Sequence, residues 1–161
     1  MSGKSSCHLV SLDATKASNK LWRAGLFYKL INKIHAQFWR ALFVYYAKSS
    51  IVVNCNGVRS KVFDTKEGVK KGGLMSPYLF NFFINDLICE IKALNVSALL
   101  GSLNVYIIAY CDDLILISSM SCHMKMILDV CSRYAKKWKL EFNPSKSVAY
   151  VAALKENRRT A

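Results

Sequence analysis

Two adjacent carboxylates, Asp112 and Asp113, are the residues of this sequence whose placement most directly suggests chemistry. They lie between two apolar runs, 104–109 and 114–118, each with the length and β-branched composition of a buried strand. Two like charges at the tip of such a hairpin are costly unless a cation neutralises them. An Asp-Asp pair is also a favourable turn sequence without any chemistry. The local pattern therefore leaves a metal site and a simple turn both open.

A third carboxylate, Asp13, is the only acidic residue among the first fifty. It ends the short apolar segment 8–13, which predicts a β-strand. If this strand lies beside the 104–118 hairpin, three carboxylates converge. Such a cluster offers the oxygen ligands that Mg²⁺ prefers, and two such ions can support in-line phosphoryl transfer, as in polymerases and nucleases. On spacing alone, a helix cap at Asp13 and a plain turn at the acidic pair are equally open.

Other patterns predict the elements that would position these acids. Apolar residues recur at helical spacing in three segments, which begin at Lys20, Ser76 and Ser121. The aromatic cluster within 37–46 is expected to serve core and helix packing rather than to form a platform for base stacking.

Two hairpins are also predicted. Asn56-Gly57 predicts a tight turn between 51–55 and 58–63, because this pair readily supplies positive φ angles. Residues 140–142 and 148–152 are expected to form a strand pair. The order of elements predicts an α+β domain with helices on one face of a small antiparallel sheet and a β-hairpin near the middle of the chain.

The composition favours a globular protein with a polyanionic partner. The 161 residues are 53% hydrophobic and 12% aromatic, which argues against disorder, and the net charge is +13. Nucleic acid is the first expectation for the partner and an anionic membrane surface the second.

A membrane span and an oxidising compartment are both disfavoured. The uncharged stretch 93–111 is long enough to cross a bilayer, but polar residues interrupt it, and two buried pieces joined by a turn at Gly101-Ser102 fit better. The six cysteines form no CxxC pair, and the N-terminus shows no secretory signal. We expect an intracellular protein with reduced thiols; nucleus and cytoplasm are not distinguished.

Four segments form an ordered set of motifs: 11–17 with the first carboxylate, 68–87 with a glycine-rich basic loop and a helix, 110–113 with the paired carboxylates, and 140–146 with a late lysine. On these segments the chain resembles the palm of reverse transcriptases, most closely those of non-long-terminal-repeat (LINE-like) retrotransposons, in which they would be the first carboxylate motif, the nucleotide and template loop with its helix, the catalytic hairpin and the late lysine motif. They cover roughly residues 9 to 150. The resemblance implies a palm core within a single partial reverse transcriptase domain that spans residues 1–161.

The resemblance also implies roles for individual residues. Asp13, Asp112 and Asp113 would be the catalytic acids, and with the carbonyl of Ala14 they would bind two Mg²⁺ ions, or Mn²⁺ in their place. The residues implied in nucleotide binding are Ser18, Lys71, Gly72, Gly73 and Lys146. Those implied in primer or template binding are Ser76, Pro77, Tyr110 and Cys111. The expected partners are an RNA template, a DNA primer and deoxynucleoside triphosphates, with no implied oligomeric state.

Several positions depart from the family pattern. Ser18 stands where the family has an aromatic gate against the ribose 2′-hydroxyl, Asn19 replaces a usual second aspartate, and Lys71 replaces a usual Gln. We therefore expect poor discrimination between deoxyribonucleotides and ribonucleotides.

The extent of the match is a further departure. The fingers strands expected before residue 9 and the thumb expected after residue 150 are not found, so a truncated or decayed element copy with weak primer positioning is expected.

Two alternatives accompany the polymerase prediction. One is a catalytically inactive, basic nucleic-acid-binding remnant. The other is a palm-type RNA-directed RNA polymerase, which is disfavoured because those enzymes usually have Gly where this chain has Cys111.

Overall fold

The computed structural model describes residues 6–96, 98–100 and 103–153. The elements along the chain are β1 (Ser6–Asp13), α1 (Ala17–Lys20), α2 (Arg23–Leu30), α3 (Ala36–Ala47), β2 (Ser50–Ile51), β3 (Asn54–Cys55), β4 (Val58–Arg59), β5 (Phe63–Asp64), α4 (Ser76–Ala93), β6 (Ala98–Leu100), β7 (Leu103–Val105), β8 (Ile107–Tyr110), β9 (Asp113–Ser118), α5 (Ser121–Trp138) and β10 (Val148–Ala153). The chain divides into two compact units: Met1–Thr15 with Ile84–Ala161, and Lys16–Phe83.

The first unit is built on a four-stranded antiparallel sheet in the order β10-β1-β9-β8. Successive strand residues point to opposite faces, and one face of β1 and β9 is buried through Val10, Leu12, Leu114 and Leu116. Helix α5 packs against β9. Its buried residues keep helical spacing: Met124, Ile127, Val130, Cys131, Tyr134 and Trp138. The predicted α+β architecture, with helices on one face of a small sheet, is confirmed.

The second unit has a core formed by α2, α3 and the first part of α4, with Leu26, Phe27, Tyr46 and Phe83 buried. The predicted hairpin is confirmed, since β3 pairs with β4 and β2 pairs with β5. Asn56 and Gly57 both have positive φ, 50° and 85°, as a two-residue turn of this type requires.

The helix predicted from Lys20 is interrupted. Helix α1 ends at Lys20, Trp22 is extended with φ −70° and ψ 100°, and α2 ends at Leu30. The Trp22 ring lies over Gly25, where a Cβ would be 2.9 Å from the ring atom Cζ3. The absence of a side chain at Gly25 therefore leaves room for the Trp22 indole to pack against the start of α2.

The helix packing predicted for the aromatic cluster of α3 is present, since the rings of Trp39 and Phe43 contact that of Phe27 in α2, with centroids 5.9 Å and 5.3 Å apart. The predicted core position is wrong for three residues of the cluster. Phe38, Phe43 and Tyr45 are exposed, whereas Tyr46 is buried. The Trp39 and Phe43 rings stack on each other with centroids 5.1 Å apart.

The predicted strand pair at 140–142 and 148–152 is also wrong. Strand β10 pairs with β1, while Phe142 forms an isolated bridge with Ala14. The backbone N–H groups of Lys146 and Ser147 both donate to the Asn143 carbonyl, at 3.2 Å and 2.9 Å. This compact turn separates residues 140–142 from β10, so the two segments pair with different parts of the chain and not with each other.

The stretch 93–111 contains the antiparallel pair β6 and β7. The turn predicted at Gly101-Ser102 lies outside the described residues. Among the residues that are described, no helix is both long enough and apolar enough to cross a membrane.

Candidate active site

A two-residue turn, Cys111-Asp112, joins β8 to β9, with Tyr110 and Asp113 paired across it. Cys111 has a φ of 51°, and a positive φ at the first central residue suits the twist of a tight hairpin. The turn leaves Asp112 half-buried at the tip and Asp113 exposed at the start of β9. The hairpin predicted around the acidic pair is therefore present, but the prediction that both strands are buried is wrong for β8, which is exposed over its last three residues.

Strand β1 lies directly beside this hairpin. Its register with β9 pairs Asp13 with Asp113, and directly opposed residues of antiparallel strands share a face of the sheet. The N–H of Ala14 donates to the Asp112 carbonyl at 3.1 Å. The condition set by the sequence, that the strand ending in Asp13 neighbours the acidic hairpin, is met.

The segment after α5 completes this end of the sheet. The Asn143 N–H donates to the Asp13 carbonyl at 2.8 Å, and the Thr15 N–H donates to the Glu141 carbonyl at 2.7 Å. The turn that begins at Asn143 brings Lys146 Nζ to 3.4 Å from Asp13 Oδ1. Because the Lys146 side chain is 67% exposed, water screens this ion pair strongly.

Asn143 was not among the site residues predicted from sequence. Its Oδ1 accepts a hydrogen bond from the Ser145 N–H at 3.1 Å, which stabilises the turn that orients Lys146. The Asn-Pro-Ser sequence predicts a turn, but the sequence does not show that this turn orients Lys146 instead of linking two paired strands.

The carboxylates at this end of the sheet do not form a metal site of three protein side chains. Within the described residues, no three His, Cys, Asp or Glu side chains are grouped so that they could hold a metal ion, so the predicted convergence of three carboxylates is not found. Magnesium is usually held by one or two carboxylates, with waters and substrate phosphates filling its remaining positions. The carboxylates of Asp13 and Asp112 fit that pattern without a complete protein cage.

The other predicted site residues belong to the second unit. Ser18 is half-buried in α1, and its carbonyl accepts a hydrogen bond from the Val69 N–H at 2.6 Å. Lys71 and Gly72 are exposed, and Gly72 has a φ of 74° with open space where a Cβ would lie.

The loop of Lys71 to Gly73 closes onto the start of α4. Ser76 Oγ donates to the Lys70 carbonyl at 2.5 Å, and the Ser76 N–H donates to the Gly73 carbonyl at 3.1 Å. Pro77 follows, exposed, in the first turn of the helix, where its missing N–H leaves no helical hydrogen bond unmade.

A small antiparallel sheet covered by helices on one face, with acids at a strand end and in the adjoining hairpin turn, defines the palm class of nucleic-acid polymerases. The chain belongs to the reverse transcriptase (RNA-dependent DNA polymerase) family, whose profile matches residues 1–158. The resemblance inferred from the four motifs is thus confirmed.

Relatives from mobile elements support the same family. The chain is 25% identical over 153 residues to the RNA-directed DNA polymerase from mobile element jockey of Drosophila funebris, a match that covers 90% of this chain and 16% of that protein. It is 25% identical over 158 residues to a probable RNA-directed DNA polymerase from transposon BS of Drosophila melanogaster, covering 94% and 17%. The chain thus spans only a small part of these relatives' length.

Solved structures share the fold. Apo telomerase from Candida tropicalis superposes with a TM-score of 0.72 at 15% identity, covering 94% of this chain and 32% of that one. Telomerase from Candida albicans, in complex with a fragment of telomeric RNA, gives a TM-score of 0.65 at 14% identity, with 96% and 27% covered. At such identities the likeness concerns the fold alone.

Proposed function

We propose that this chain is the palm core of a retrotransposon reverse transcriptase and performs RNA-directed DNA synthesis by nucleotidyl transfer. The core would comprise about residues 9–150 of a single reverse transcriptase domain over 1–161. The observation that carries this proposal is the register that pairs Asp13 with Asp113 while Asp112 occupies the adjoining turn. Membership of the reverse transcriptase family supports it.

Asp13 and Asp112 are the residues that would hold the Mg²⁺ ions, with the Ala14 carbonyl as a further ligand and Asp113 as the third catalytic acid. When bound, a pair of such ions activates a hydroxyl nucleophile and stabilises the leaving oxygen in phosphoryl transfer. Lys146, which contacts Asp13 through Nζ, is the proposed proton donor to the departing pyrophosphate.

The remaining residues would bind the substrates. Gly72 and Gly73 would let the backbone approach the deoxynucleoside triphosphate and the RNA template, with Lys71 as a nearby cation. Tyr110 is 79% exposed and pairs with Asp113, so its ring is available to the end of a DNA primer. Cys111, Ser76 and Pro77 are the other proposed primer or template contacts.

Primer extension tests the catalytic proposal. The protein should extend a DNA primer on an RNA template with Mg²⁺, and Asp112→Asn should abolish the product because the variant loses a negative metal ligand. Equal melting temperatures of the two proteins would show that the variant is folded. Equal extension by the two proteins would remove the catalytic assignment of Asp112.

Sugar selectivity tests the role of Ser18. We propose that the small side chain of Ser18 leaves the ribose 2′-hydroxyl unopposed, so that ribonucleotides are incorporated readily. Ser18→Phe should raise the preference for deoxyribonucleotides in single-nucleotide incorporation. Unchanged selectivity would refute this role.

A basic nucleic-acid-binding protein without catalysis is the second candidate, and the net charge of +13 favours it. Such binding should weaken steeply as salt replaces protein cations at the phosphates, and it should not require Mg²⁺. Binding that salt does not weaken would argue against this candidate. Extension that depends on Asp112 would favour the polymerase.

A further inference from the structure

Arg23, the first residue of α2, forms hydrogen bonds to two other segments of the second unit. Its Nε donates to the Gly68 carbonyl at 2.6 Å, and its Nη1 donates to the Tyr46 carbonyl at 3.0 Å. Nη1 and Nη2 also donate to the carbonyl and the hydroxyl of Thr65. The guanidinium carbon lies 5.2 Å from the centre of the Tyr46 ring. One side chain thus joins α2 to the end of α3 and to the segment 65–68.

Thr65 is tied to its surroundings independently of Arg23. Its N–H donates to the Ser49 carbonyl at 3.0 Å, and its hydroxyl lies 2.7 Å from the hydroxyl of Ser49. Arg23 therefore donates to a residue, Thr65, that other hydrogen bonds already hold in place.

Gly68 and Val69 are also fixed from a second side. The Gly68 N–H donates to the Leu21 carbonyl at 2.8 Å, and the Val69 N–H donates to the Ser18 carbonyl at 2.6 Å. The next residues, Lys70 and Lys71, line a cavity of about 830 Å³ together with Arg23 and Gly68. The exposed Lys71 thus follows closely on residues whose backbone is held by these hydrogen bonds.

We infer that Arg23 is a positioning residue for the loop of Lys71 to Gly73 and acts on it through Thr65 and Gly68. The inference rests on the proposed function, in which this loop binds the incoming nucleotide. Arg23 itself bonds only to protein groups in its contacts above, so it should influence nucleotide binding and leave the chemical step to other residues.

The geometry requires a guanidinium. Its planar fork presents donors in several fixed directions, and the Arg23 contacts use three nitrogen atoms to reach three residues. A lysine ammonium keeps the charge but offers donors at a single atom. Arg23→Lys therefore tests the fork separately from the charge, and Arg40→Lys, on the exposed surface of α3, is the matched control.

Amide hydrogen exchange at Gly68 and Val69 provides the first measurement. The N–H groups of these residues donate to Leu21 and Ser18 and not to Arg23, so a change in their exchange would report movement of the segment and not the loss of an Arg23 contact. In Arg23→Lys, these two amides should exchange about tenfold faster, which corresponds to ~1.4 kcal/mol. Amides in the middle of α5 should not change, and neither should any in Arg40→Lys. Unchanged exchange at Gly68 and Val69 would overturn the inference.

Single-nucleotide incorporation provides the second measurement, with deoxythymidine triphosphate on a DNA primer and an adenine RNA template. Arg23→Lys should raise KM about tenfold while kcat changes by less than about threefold. A fall in kcat at constant KM would overturn the positioning role. An inactive wild-type protein would refute the proposed function instead, and the exchange measurement would then decide alone whether Arg23 anchors the loop.

Discussion

Replacing Gly68 with alanine should destabilise the protein, because the backbone of another segment lies too close to Gly68 to leave room for a Cβ atom. Gly68 has a φ of 79°, and an added Cβ would lie 2.7 Å from the Ser18 carbonyl oxygen and would also meet that of Asn19. Both oxygens belong to the backbone, so they cannot rotate away as a flexible side chain could. The segment would have to separate from α1.

The size of the effect can be worked from two contributions. An alanine in the left-handed conformation costs about 1 kcal/mol. Separation from α1 would also break the bond from Gly68 to Leu21 and that from Val69 to Ser18, each worth about 1 kcal/mol. The total is about 3 kcal/mol, which lowers Tm by roughly 6 to 12 °C for a chain of this size.

Gly57→Ala is the matched control, because Gly57 has a φ of 85° and nothing within 4 Å of its added Cβ. It should lose only the conformational contribution, about 1 kcal/mol or roughly 2 to 4 °C in Tm. Thermal unfolding followed by circular dichroism compares the two variants. Equal shifts would refute the reasoning, since the close approach would then have no measurable effect.

Four other outcomes test the first unit, one of them by comparison with a thiol of the second unit. Leu114→Ala should lower the free energy of unfolding, measured in urea, by about 2 to 5 kcal/mol because Leu114 is fully buried. Ile115→Ala, on the opposite face of the sheet, should lower it by about 1 kcal/mol or less. Similar losses in the two variants would contradict the assigned faces. Lys146→Gln should change this free energy by less than about 1 kcal/mol, since the ion pair is largely exposed, and a larger loss would contradict this. Burial raises the pKa of Cys131 to about 12, so mass spectrometry should find Cys131 unmodified by iodoacetamide at pH 8 while the exposed Cys55 reacts. Because the unfolded thiol ionises first, the stability that Cys131 contributes should fall as pH rises above 9.0, its ordinary pKa.

Features governed by local chemistry could be predicted from the sequence. Asn56-Gly57 forms its turn because both residues tolerate the positive φ that the turn imposes. The apolar residues of α5 identify its buried face because their spacing matches the helix period. The acidic turn at Asp112 could be predicted because strand-like apolar runs flank it on both sides.

Features governed by long-range choices could not be predicted in this way. Strand composition does not specify a neighbour, and β10 pairs with β1 rather than with residues 140–142. Helical spacing continues through Trp22, although Trp22 is extended between α1 and α2 and its ring lies over Gly25. The role inferred for Arg23 depends on backbone carbonyl oxygens, which every residue possesses and which therefore leave no mark in the sequence.

Along β1 and β9, buried side chains alternate with side chains on the opposite face of the sheet, so residues that stabilise the fold lie directly beside the proposed catalytic acids. Leu12 and Leu114 are buried, while Asp13 and Asp113 pair on the opposite face. An acid can therefore be exchanged for its amide, through one nucleotide change, in a gene that still encodes a folded and strongly basic protein. Loss of the proposed activity and loss of the fold are therefore separate events, which different substitutions in neighbouring positions of the same strand would cause.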